Sequence, residues 1–435
     1  MQPCWSAVGP VPEVAAASSA AALALPHNVP RSAGVARFAL REARMLLAGW
    51  RSRGLTCASV FPALSCSRVR RLVHQARARL PLSSSQPGFS IGLHLPETLA
   101  IPAQRSLPSQ RAALVLQPRG GRFPRMPLLV NGERIDLARP AGDVIHSYPH
   151  LEEKARVLRG QPAQIVGPKG LLYIQQREFA VTTPKDASVS ILGSDDATTC
   201  HLVVLRHTGS GATCLTHCDG SDTQAEVSLI MNAVKSLSDD TECGRLEVHL
   251  VGGFKDDRQL SQKLTNQLLR AFDLLQDDVH LVTFCVTELN DREEKDNHFP
   301  IIYGIAVNVK TAEIFHATFP DRGPDEDLRS ACILTGATMT NIYDAKTEQL
   351  HIGPFFWMPF PHVDFWLEQD DKQILQNLST SPLAEPPHFV SHIRSTLMFL
   401  KEHPFPDLSL FPNRKPRLYK KSEDGLWERI CLETM

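Results

Sequence analysis

The chain changes in composition close to residue 126, and this break decides which part of it can be expected to fold. Residues 1–125 contain 16 Arg and 3 Glu but neither Lys nor Asp, which gives them a formal charge of +13. The remaining residues carry −14, and the whole chain therefore has a formal charge of −1. We expect two unlike regions: an Arg-rich, acid-poor extension at 1–125 and one folded domain at 126–435.

Three interpretations of the extension remain open. An Arg- and Ser-rich, acid-poor composition is typical of a mitochondrial presequence, although the first arginine comes only at Arg31. A disordered basic tail would have a similar composition. The third interpretation is that the extension lies upstream of the true translation start, since Met126 opens the run MPLLV at 126–130 and lysines appear only after it.

Cysteine usage and hydropathy indicate the compartment. Several of the ten cysteines lie inside apolar runs, such as LVTFCV at 281–286, which is typical of reduced, buried cysteines. No run approaches the roughly 20 apolar residues of a membrane span. The acidic balance of 126–435 gives no support to nucleic-acid binding. We expect a monomer in the cytoplasm, with no membrane or nucleic-acid partner; an additional nuclear location and mitochondrial targeting by 1–125 stay open.

Strands and helices alternate along the folded domain. Apolar spacing and capping residues predict helices at 149–160, 223–237, 256–275, 325–334, 370–378 and 389–401. Short apolar runs bounded by turn residues predict strands at 171–181, 187–192, 200–206, 212–218, 245–251, 279–286, 301–309, 313–319, 341–343 and 349–352. Many strands with helices both between and after them favour a layered α+β or α/β sandwich.

One predicted hairpin constrains the choice of a reactive cysteine. The strands 200–206 and 212–218 flank a loop that contains Gly209 and Ser210, a strong short hairpin signal. If these two residues form the turn, the numbers of paired residues sum to 419. A four-residue loop keeps the same sum, whereas a loop of odd length reverses the face on which each side chain lies.

The predicted register brings a cysteine and a histidine together. His217 falls opposite Leu202, and Cys200 shares the face of Leu202 because side chains two residues apart in a strand point the same way. Cys200 and His217 become diagonal neighbours, with roughly 7–8 Å between their backbones. This distance is within reach of their side chains.

A cysteine with an adjacent imidazole has the parts of a nucleophilic hydrolase. A free thiol has a pKa of about 8.5, and an imidazole can stabilise the thiolate and then protonate a departing amine. The polar loop at 193–199 precedes Cys200 and offers backbone N–H groups for a developing oxyanion. A hydroxyl such as that of Ser194 would orient the ring of His217.

Two other interpretations use the same residues. A cysteine in a strand is most often a small core residue, and a lone histidine is more often a hydrogen-bonded polar residue than a base. Cys214 and Cys218 with His217 and His201 also resemble a zinc ligand set. However, adjacent residues 217 and 218 point to opposite faces, and no second Cys/His pair has the usual spacing. We expect no metal.

Six stretches of the folded domain carry distinctive motifs. They are MPLLV at 126–130, SILGSDDATTCHLVVLRH at 190–207, CLTHCDG at 214–220, LEVHLVGG at 246–253, TELNDREE at 287–294 and FPHVDFW at 360–366. Together these stretches closely resemble the family of N-terminal asparagine amidohydrolases. The resemblance runs from Met126 to about Ile430 and does not cover 1–125.

The resemblance implies a substrate and a cellular role. Members of the family hydrolyse the side-chain amide of an N-terminal Asn to give an N-terminal Asp and ammonia. The resulting Asp feeds the N-degron pathway, in which the protein is arginylated, ubiquitinated and degraded. The partners implied are proteins and peptides that begin with Asn.

A second resemblance concerns the fold and the catalytic residues. The LGS run before the cysteine, with His217 seventeen residues after Cys200, is similar to bacterial chemoreceptor glutamine deamidases and cytotoxic-necrotizing-factor-type cysteine deamidases. This likeness implies an α+β fold built as a layered α-β-β(-α) sandwich. Carried over, Cys200 matches the nucleophile, His217 the base and Ser194 the assisting hydroxyl.

We expect a thioester mechanism that needs no metal or organic cofactor. Selectivity for an N-terminal residue requires a carboxylate for the free α-amine, because burying an unpaired ammonium is costly. Asp195, Asp196 and Asp219 flank the catalytic residues and are the candidates. The alternatives are a glutamine-directed deamidase or a peptidase on the same Cys-His pair, and a non-catalytic module that binds acidic or N-terminal peptides.

Overall fold

The computed structural model describes residues 128–137, 146–238 and 243–430. The predictions for the extension at 1–125 and for Met126 lie outside these residues. The described residues form a mixed α and β structure with several sheets, which confirms the coarse prediction of fold class. None of the described helices is long and apolar enough to cross a membrane.

The strands are short, and most lie where apolar runs predict them. They are β1 Leu128–Val130, β2 Glu133–Arg134, β3 Gln164–Ile165, β4 Leu171–Tyr173, β5 Glu178–Thr182, β6 Ile191–Ser194, β7 His201–His207, β8 Thr213–Cys218, β9 Leu246–Gly252, β10 Val279–Val286, β11 Asp291–Glu294, β12 Asn297–Pro300, β13 Ile305–Asn308, β14 Ile314–Thr318, β15 Thr340–Asn341, β16 Tyr343–Asp344, β17 Gln349–Ile352, β18 Arg417–Lys421 and β19 Trp427–Arg429.

Helices separate or follow these strands. They are α1 Pro149–Arg159, α2 Thr223–Ser236, α3 Leu260–Asp273, α4 Glu326–Leu334, α5 Val363–Leu367, α6 Asp371–Leu378, α7 Phe389–Glu402 and α8 Pro406–Ser409, with 3₁₀ turns at Thr287–Asn290 and Pro412–Arg414. All six predicted helices are present. The two shortest helices, α5 and α8, were not predicted.

An eight-stranded sheet forms the centre of the fold. Its order is β15-β5-β8-β7-β9-β10-β1-β2. Strands β5, β8, β7 and β9 are antiparallel to one another along this order, whereas β15 is parallel to β5 and β10 is parallel to both β9 and β1. Antiparallel neighbours can be joined by a short hairpin, whereas parallel strands need a crossover connection, usually a helix. The connections after β8 and β9 contain α2 and α3, respectively.

One face of this central sheet is covered by α2 and α3. Their apolar residues, including Ile230 and Leu268, pack with Val203 and Leu250 of the strands in one hydrophobic core. Helix α3 begins only at Leu260, later than predicted, because the preceding residues form its cap. The carboxylate of Asp256 there accepts hydrogen bonds from the backbone N–H groups at the start of α3.

A second sheet packs against the opposite face. It has five strands in the order β3-β14-β13-β6-β4. Leu192 of β6 and Ile305 of β13 share a hydrophobic core with Leu202 and Val204 of β7. The predicted strand 171–181 is divided between the two sheets as β4 and β5. The chain turns between them at Arg177, whose φ of 59° is left-handed.

Helix α4 is anchored to the central sheet by a buried ion pair. Arg329 donates to both carboxylate oxygens of Glu178 on β5, at 2.9 and 2.6 Å. The same guanidinium donates to the backbone carbonyls of Tyr173 and Arg322. Arg329 is only 1% exposed, so this network fixes the ends of β4 and β5 and the loop before α4.

Candidate active site

The hairpin register predicted from the sequence is confirmed. Leu202 of β7 pairs with His217 of β8, and the paired numbers sum to 419 along the ladder. The turn is the longer of the two even-length possibilities. Its four-residue loop spans 208–211, closed by a hydrogen bond from the N–H of His207 to the carbonyl oxygen of Ala212. An even loop length preserves the side-chain faces.

Cys200 and His217 lie at the same end of the central sheet. Cys200 directly precedes β7 and is partly exposed at a cleft, and His217 lines the same cleft from β8. The neighbouring Cys218 belongs instead to the core under α2 and α3. The pleat of β8 therefore separates a cleft-facing imidazole from a core thiol, as alternation requires.

Ser194 reaches the imidazole from the second sheet. It ends β6, and its Oγ lies 2.9 Å from Nδ1 of His217. Both side chains are buried. Thr198 and Thr199 lie closer to Cys200 in sequence, but neither forms a hydrogen bond with His217. Thr199 Oγ1 lies 3.1 Å from Thr380 Oγ1, and the hydroxyl of Thr198 forms no hydrogen bond with a described residue. Packing of the two sheets thus brings Ser194 to the ring.

Burial favours the neutral forms of both cleft groups. Desolvation raises the pKa of the Cys200 thiol well above its usual value, and the charges of Asp219 and Glu385 raise it further. Desolvation also lowers the pKa of His217 to about 4. The sequence predicts a thiolate stabilised by the adjacent imidazole. The environment instead favours a thiol beside a neutral base, since neither charge is well solvated.

Cys200 has a tight backbone neighbour in the next strand. Gly252 ends β9 with a φ of 124°, and a Cβ built there would lie 2.7 Å from the carbonyl oxygen of Cys200. A side chain would therefore displace the peptide that carries the thiol. On the other side of Cys200, the backbone N–H groups of Thr198, Thr199 and Cys200 make no hydrogen bond to a described residue.

Asp195 and Asp196 form a paired carboxylate cluster at the cleft. Asp195 accepts hydrogen bonds from the hydroxyl of Tyr173 at 2.6 Å and from the N–H of Phe319 at 3.2 Å. Burial and the charge of Asp196 raise the pKa of Asp195 to about 6. Arg322 lies 3.3 Å from Asp195 and 2.6 Å from Asp196.

Asp196 has a second basic neighbour. His388 Nε2 lies 2.8 Å from its carboxylate. Burial alone would raise the pKa of Asp196, but the hydrogen bond with His388 and the charge of Arg322 lower it below its usual value. The hydrogen bond in turn raises the pKa of His388. Asp196 is therefore a carboxylate already bound by two basic groups.

Asp219 is paired on the other side of the cleft. Its Oδ2 accepts from Nε of Arg177 at 2.7 Å and from the amide of Gln176 at 2.8 Å. Burial opposes ionisation, but the positive charge of Arg177 holds the pKa of Asp219 below its usual value. All three aspartates predicted to bind substrate thus lie at the cleft, and an arginine faces each of them.

The cleft also contains residues that sequence reasoning missed. Its volume is about 370 Å³. Besides Cys200 and His217, it is lined by Arg177, Arg322, Glu385 and His388. Their partners come from distant parts of the chain, so no local spacing in the sequence marks them. Among the described residues, no cluster of His, Cys, Asp and Glu is arranged to hold a metal ion.

Comparisons with known proteins agree with the sequence motifs. A family model described as Protein N-terminal asparagine amidohydrolase matches residues 161–429. Proteins of that name from Sus scrofa and Homo sapiens are 75% and 73% identical over 305 residues, covering 70% of this chain and 98% of each relative. One from Arabidopsis thaliana is 30% identical over 309 residues, covering 65% of this chain and 88% of the relative.

These matches confirm the resemblance inferred from the motifs at 190–207 and 214–220. The matched region contains the whole cleft described above. The chain is an amidohydrolase and belongs to the protein N-terminal asparagine amidohydrolase family.

Proposed function

We propose that the chain hydrolyses the side-chain amide of an N-terminal Asn in proteins and peptides, leaving an N-terminal Asp and releasing ammonia. This proposal is supported mainly by one observation in a chain of this family: Cys200 and His217 line one cleft, and Ser194 is hydrogen-bonded to His217. The three residues supply a nucleophile, a base and a hydroxyl that holds the base.

The first half of the reaction forms a thioester. Sγ of Cys200 attacks the side-chain carbonyl carbon of Asn as its proton passes to Nε2 of His217. The tetrahedral intermediate collapses when the imidazolium gives that proton to the amide nitrogen, and the C–N bond breaks to release ammonia. A base with a pKa of about 4 is neutral at physiological pH and ready to accept the proton.

The second half restores the enzyme. A water molecule attacks the thioester carbonyl carbon while His217 accepts one of its protons. The C–S bond breaks, the proton returns to the sulfur of Cys200, and the product is an aspartate side chain. Each proton removed from a nucleophile is delivered to a leaving group, so His217 is neutral again at the end of the cycle.

Ser194 and the loop before Cys200 have supporting roles in this proposal. If Nδ1–H of His217 donates to the oxygen of Ser194, the lone pair of Nε2 is left facing the cleft. The backbone N–H groups of Thr199 and Cys200 are candidate donors to the oxyanion, because no described residue accepts a hydrogen bond from them.

The carboxylates Asp195, Asp196 and Asp219 are proposed to attract the positively charged α-amine to the cleft. Arg322 and Arg177 form ion pairs with these aspartates, which offset part of their negative charge and fix their side chains in place.

A fold family and a cellular role are also proposed for the chain. The two facing sheets and the outer helices α2 and α3 fit the α-β-β sandwich of cytotoxic-necrotizing-factor-type cysteine hydrolases. The free cysteines of the described region fit a reducing compartment such as the cytoplasm. There a monomer without metal or organic cofactor would convert Asn-initiated proteins into substrates of the N-degron pathway.

A panel of peptides tests the function. The full chain is incubated with an Asn-initiated peptide, the same peptide begun with Gln, and a peptide with Asn at an internal position. Mass spectrometry is expected to detect the amide-to-acid conversion in the first peptide alone. Conversion of the Gln peptide instead would favour a glutamine-directed deamidase, and binding without conversion would favour a non-catalytic module.

A further inference from the structure

The chemistry of an N-terminal Asn limits where its α-amine can be bound. This inference rests on the proposed function. The α-nitrogen is three bonds from the side-chain carbonyl carbon, so the two atoms are roughly 2.5–4 Å apart. When Cys200 attacks that carbon, the ammonium must lie in the same small chamber as the thiol. The carboxylate that binds it must therefore be close enough to the thiol to influence it electrostatically.

Four carboxylates line the cleft, and the charges of two of them act on Cys200. After burial, the charges that raise the pKa of the thiol are those of Asp219, Glu385 and, less strongly, Glu226. Glu226 does not line the cleft. Asp195 and Asp196 lie nearer to Arg322 and His388 at the other side. The choice for a direct contact near the thiol is therefore between Asp219 and Glu385.

Asp219 already has a cationic partner. Its half-buried carboxylate accepts hydrogen bonds from the guanidinium of Arg177 and the amide of Gln176 at one oxygen, and from the N–H of Ser221 at the other. Replacing the arginine with a substrate ammonium would leave Arg177 unpaired in a buried site, which is unfavourable.

Glu385 lacks such a partner. Among the described residues it forms no ion pair, and its one hydrogen bond comes from the hydroxyl of Ser379 at 2.5 Å. The neighbouring His388 is engaged with Asp196. Burial raises the pKa of Glu385 to about 7, as expected for a carboxylate with little compensation by positive charge.

The loop that carries Glu385 is fixed to the catalytic region. The N–H of Ser381 donates to the oxygen of Ser379, and the hydroxyl of Tyr303 donates to the carbonyl of Ala384. Thr380 of this loop is hydrogen-bonded to Thr199, next to the nucleophile. These contacts restrain the backbone of the loop, and the hydrogen bond from Ser379 holds the carboxyl group of Glu385 at the cleft.

We propose that Glu385 is the carboxylate that binds the α-ammonium of the N-terminal Asn and thereby restricts hydrolysis to the N-terminal position. An internal Asn presents an uncharged peptide group at this place. Binding it would bury the carboxylate of Glu385 without a counter-charge, whereas an N-terminal Asn supplies the cation.

Substrate analogues separate this role from a structural one. Glu385→Gln keeps the shape of the side chain and its ability to accept from Ser379 but removes the charge. Its kcat/KM is measured with an Asn-initiated peptide and with the des-amino analogue, a succinamoyl peptide that has the same amide and no α-amine. The matched control is Glu402→Gln, which removes one charge from the exposed far end of α7.

The substitution is expected to lower kcat/KM for the Asn peptide by at least about 30-fold, as loss of a buried charge contact does. It should leave the rate with the succinamoyl peptide unchanged or raise it, and Glu402→Gln should alter neither. A Glu385→Gln chain that loses activity equally with both peptides, or retains the wild-type preference for the amine, would overturn the proposal. If the wild-type chain converts neither peptide, the proposed function itself fails.

Discussion

Ser194 Oγ lies 2.9 Å from Nδ1 of His217, although the two residues belong to different sheets. Ser194 ends β6 of the five-stranded sheet, and His217 lies in β8 of the central sheet. The hydrogen bond therefore exists only when the two sheets are packed face to face. The orientation of the imidazole by Ser194 therefore depends on correct packing of the two sheets.

Replacing Ser194 with Ala tests this link. The substitution leaves a buried ring nitrogen without a partner, which costs about 1–3 kcal/mol. We expect kcat for the Asn peptide to fall about 10- to 100-fold with little change in KM. Ser228→Ala, which removes an exposed hydroxyl from α2, is the control and should have wild-type kinetics. An unchanged kcat in Ser194→Ala would show that the serine does not orient the base.

Gly252 is expected to be required for the position of the nucleophile. Ala at this site would combine a left-handed φ with a Cβ 2.7 Å from the Cys200 carbonyl oxygen. The strain should cost about 1–3 kcal/mol of stability and, by displacing the Cys200 peptide, reduce kcat sharply. Gly167→Ala provides the matched control, because a Cβ there meets nothing within 4 Å. Equal activity of the two variants would contradict the close-approach argument.

The ring of His217 is expected to titrate far below an ordinary histidine. Burial lowers its pKa to about 4 in the folded protein, against about 6.5 in an unfolded chain. Between these values the unfolded chain binds more protons, so the contribution of His217 to stability is complete above pH 6.5 and is lost as the pH falls towards 4. NMR titration of the ring, assigned with His217→Gln, measures this directly. A folded-state pKa near 6.5 would mean that the ring is solvated.

The buried Arg329–Glu178 pair should be a major determinant of stability. Arg329→Met leaves the carboxylate of Glu178 uncompensated, and breaking a buried pair in this way costs about 3–5 kcal/mol. Arg292→Met removes an exposed pair with Glu294 and should change the free energy of unfolding by at most about 1 kcal/mol. Denaturant unfolding of the two variants measures the difference. A similar loss of unfolding free energy in both variants would contradict the claim that burial makes the Arg329–Glu178 pair important for stability.

The hairpin could be predicted because its geometry is local. Turn residues and alternation along 200–218 determine which side chains share a face, and the pairing of Leu202 with His217 follows from the even loop length. The turn itself has four residues instead of two, since the ring of His207 and the hydroxyl of Ser210 hydrogen-bond within it. Such side-chain contacts do not alter the register.

The rest of the cleft depends on contacts between distant segments. Arg322, in the loop before α4, forms an ion pair with Asp196. Glu385 lines the cleft from the loop before α7, almost two hundred residues after the nucleophile in sequence. No periodicity or spacing connects these positions. Burial likewise determines whether Cys200 and His217 are charged, and the sequence does not reveal how completely they are desolvated. The sequence predicts which reactive side chains are present, and the packing determines their protonation states.

The most direct test of the account is the rate at which Cys200→Ala converts an Asn-initiated peptide. Removal of the nucleophile should lower kcat by at least about 10⁴-fold. Cys243→Ala, which removes an exposed thiol, should retain wild-type activity, and both variants should unfold at the wild-type temperature. A folded Cys200→Ala chain that converts the peptide at a rate close to that of the wild type would contradict the central claim that this thiol attacks the substrate amide.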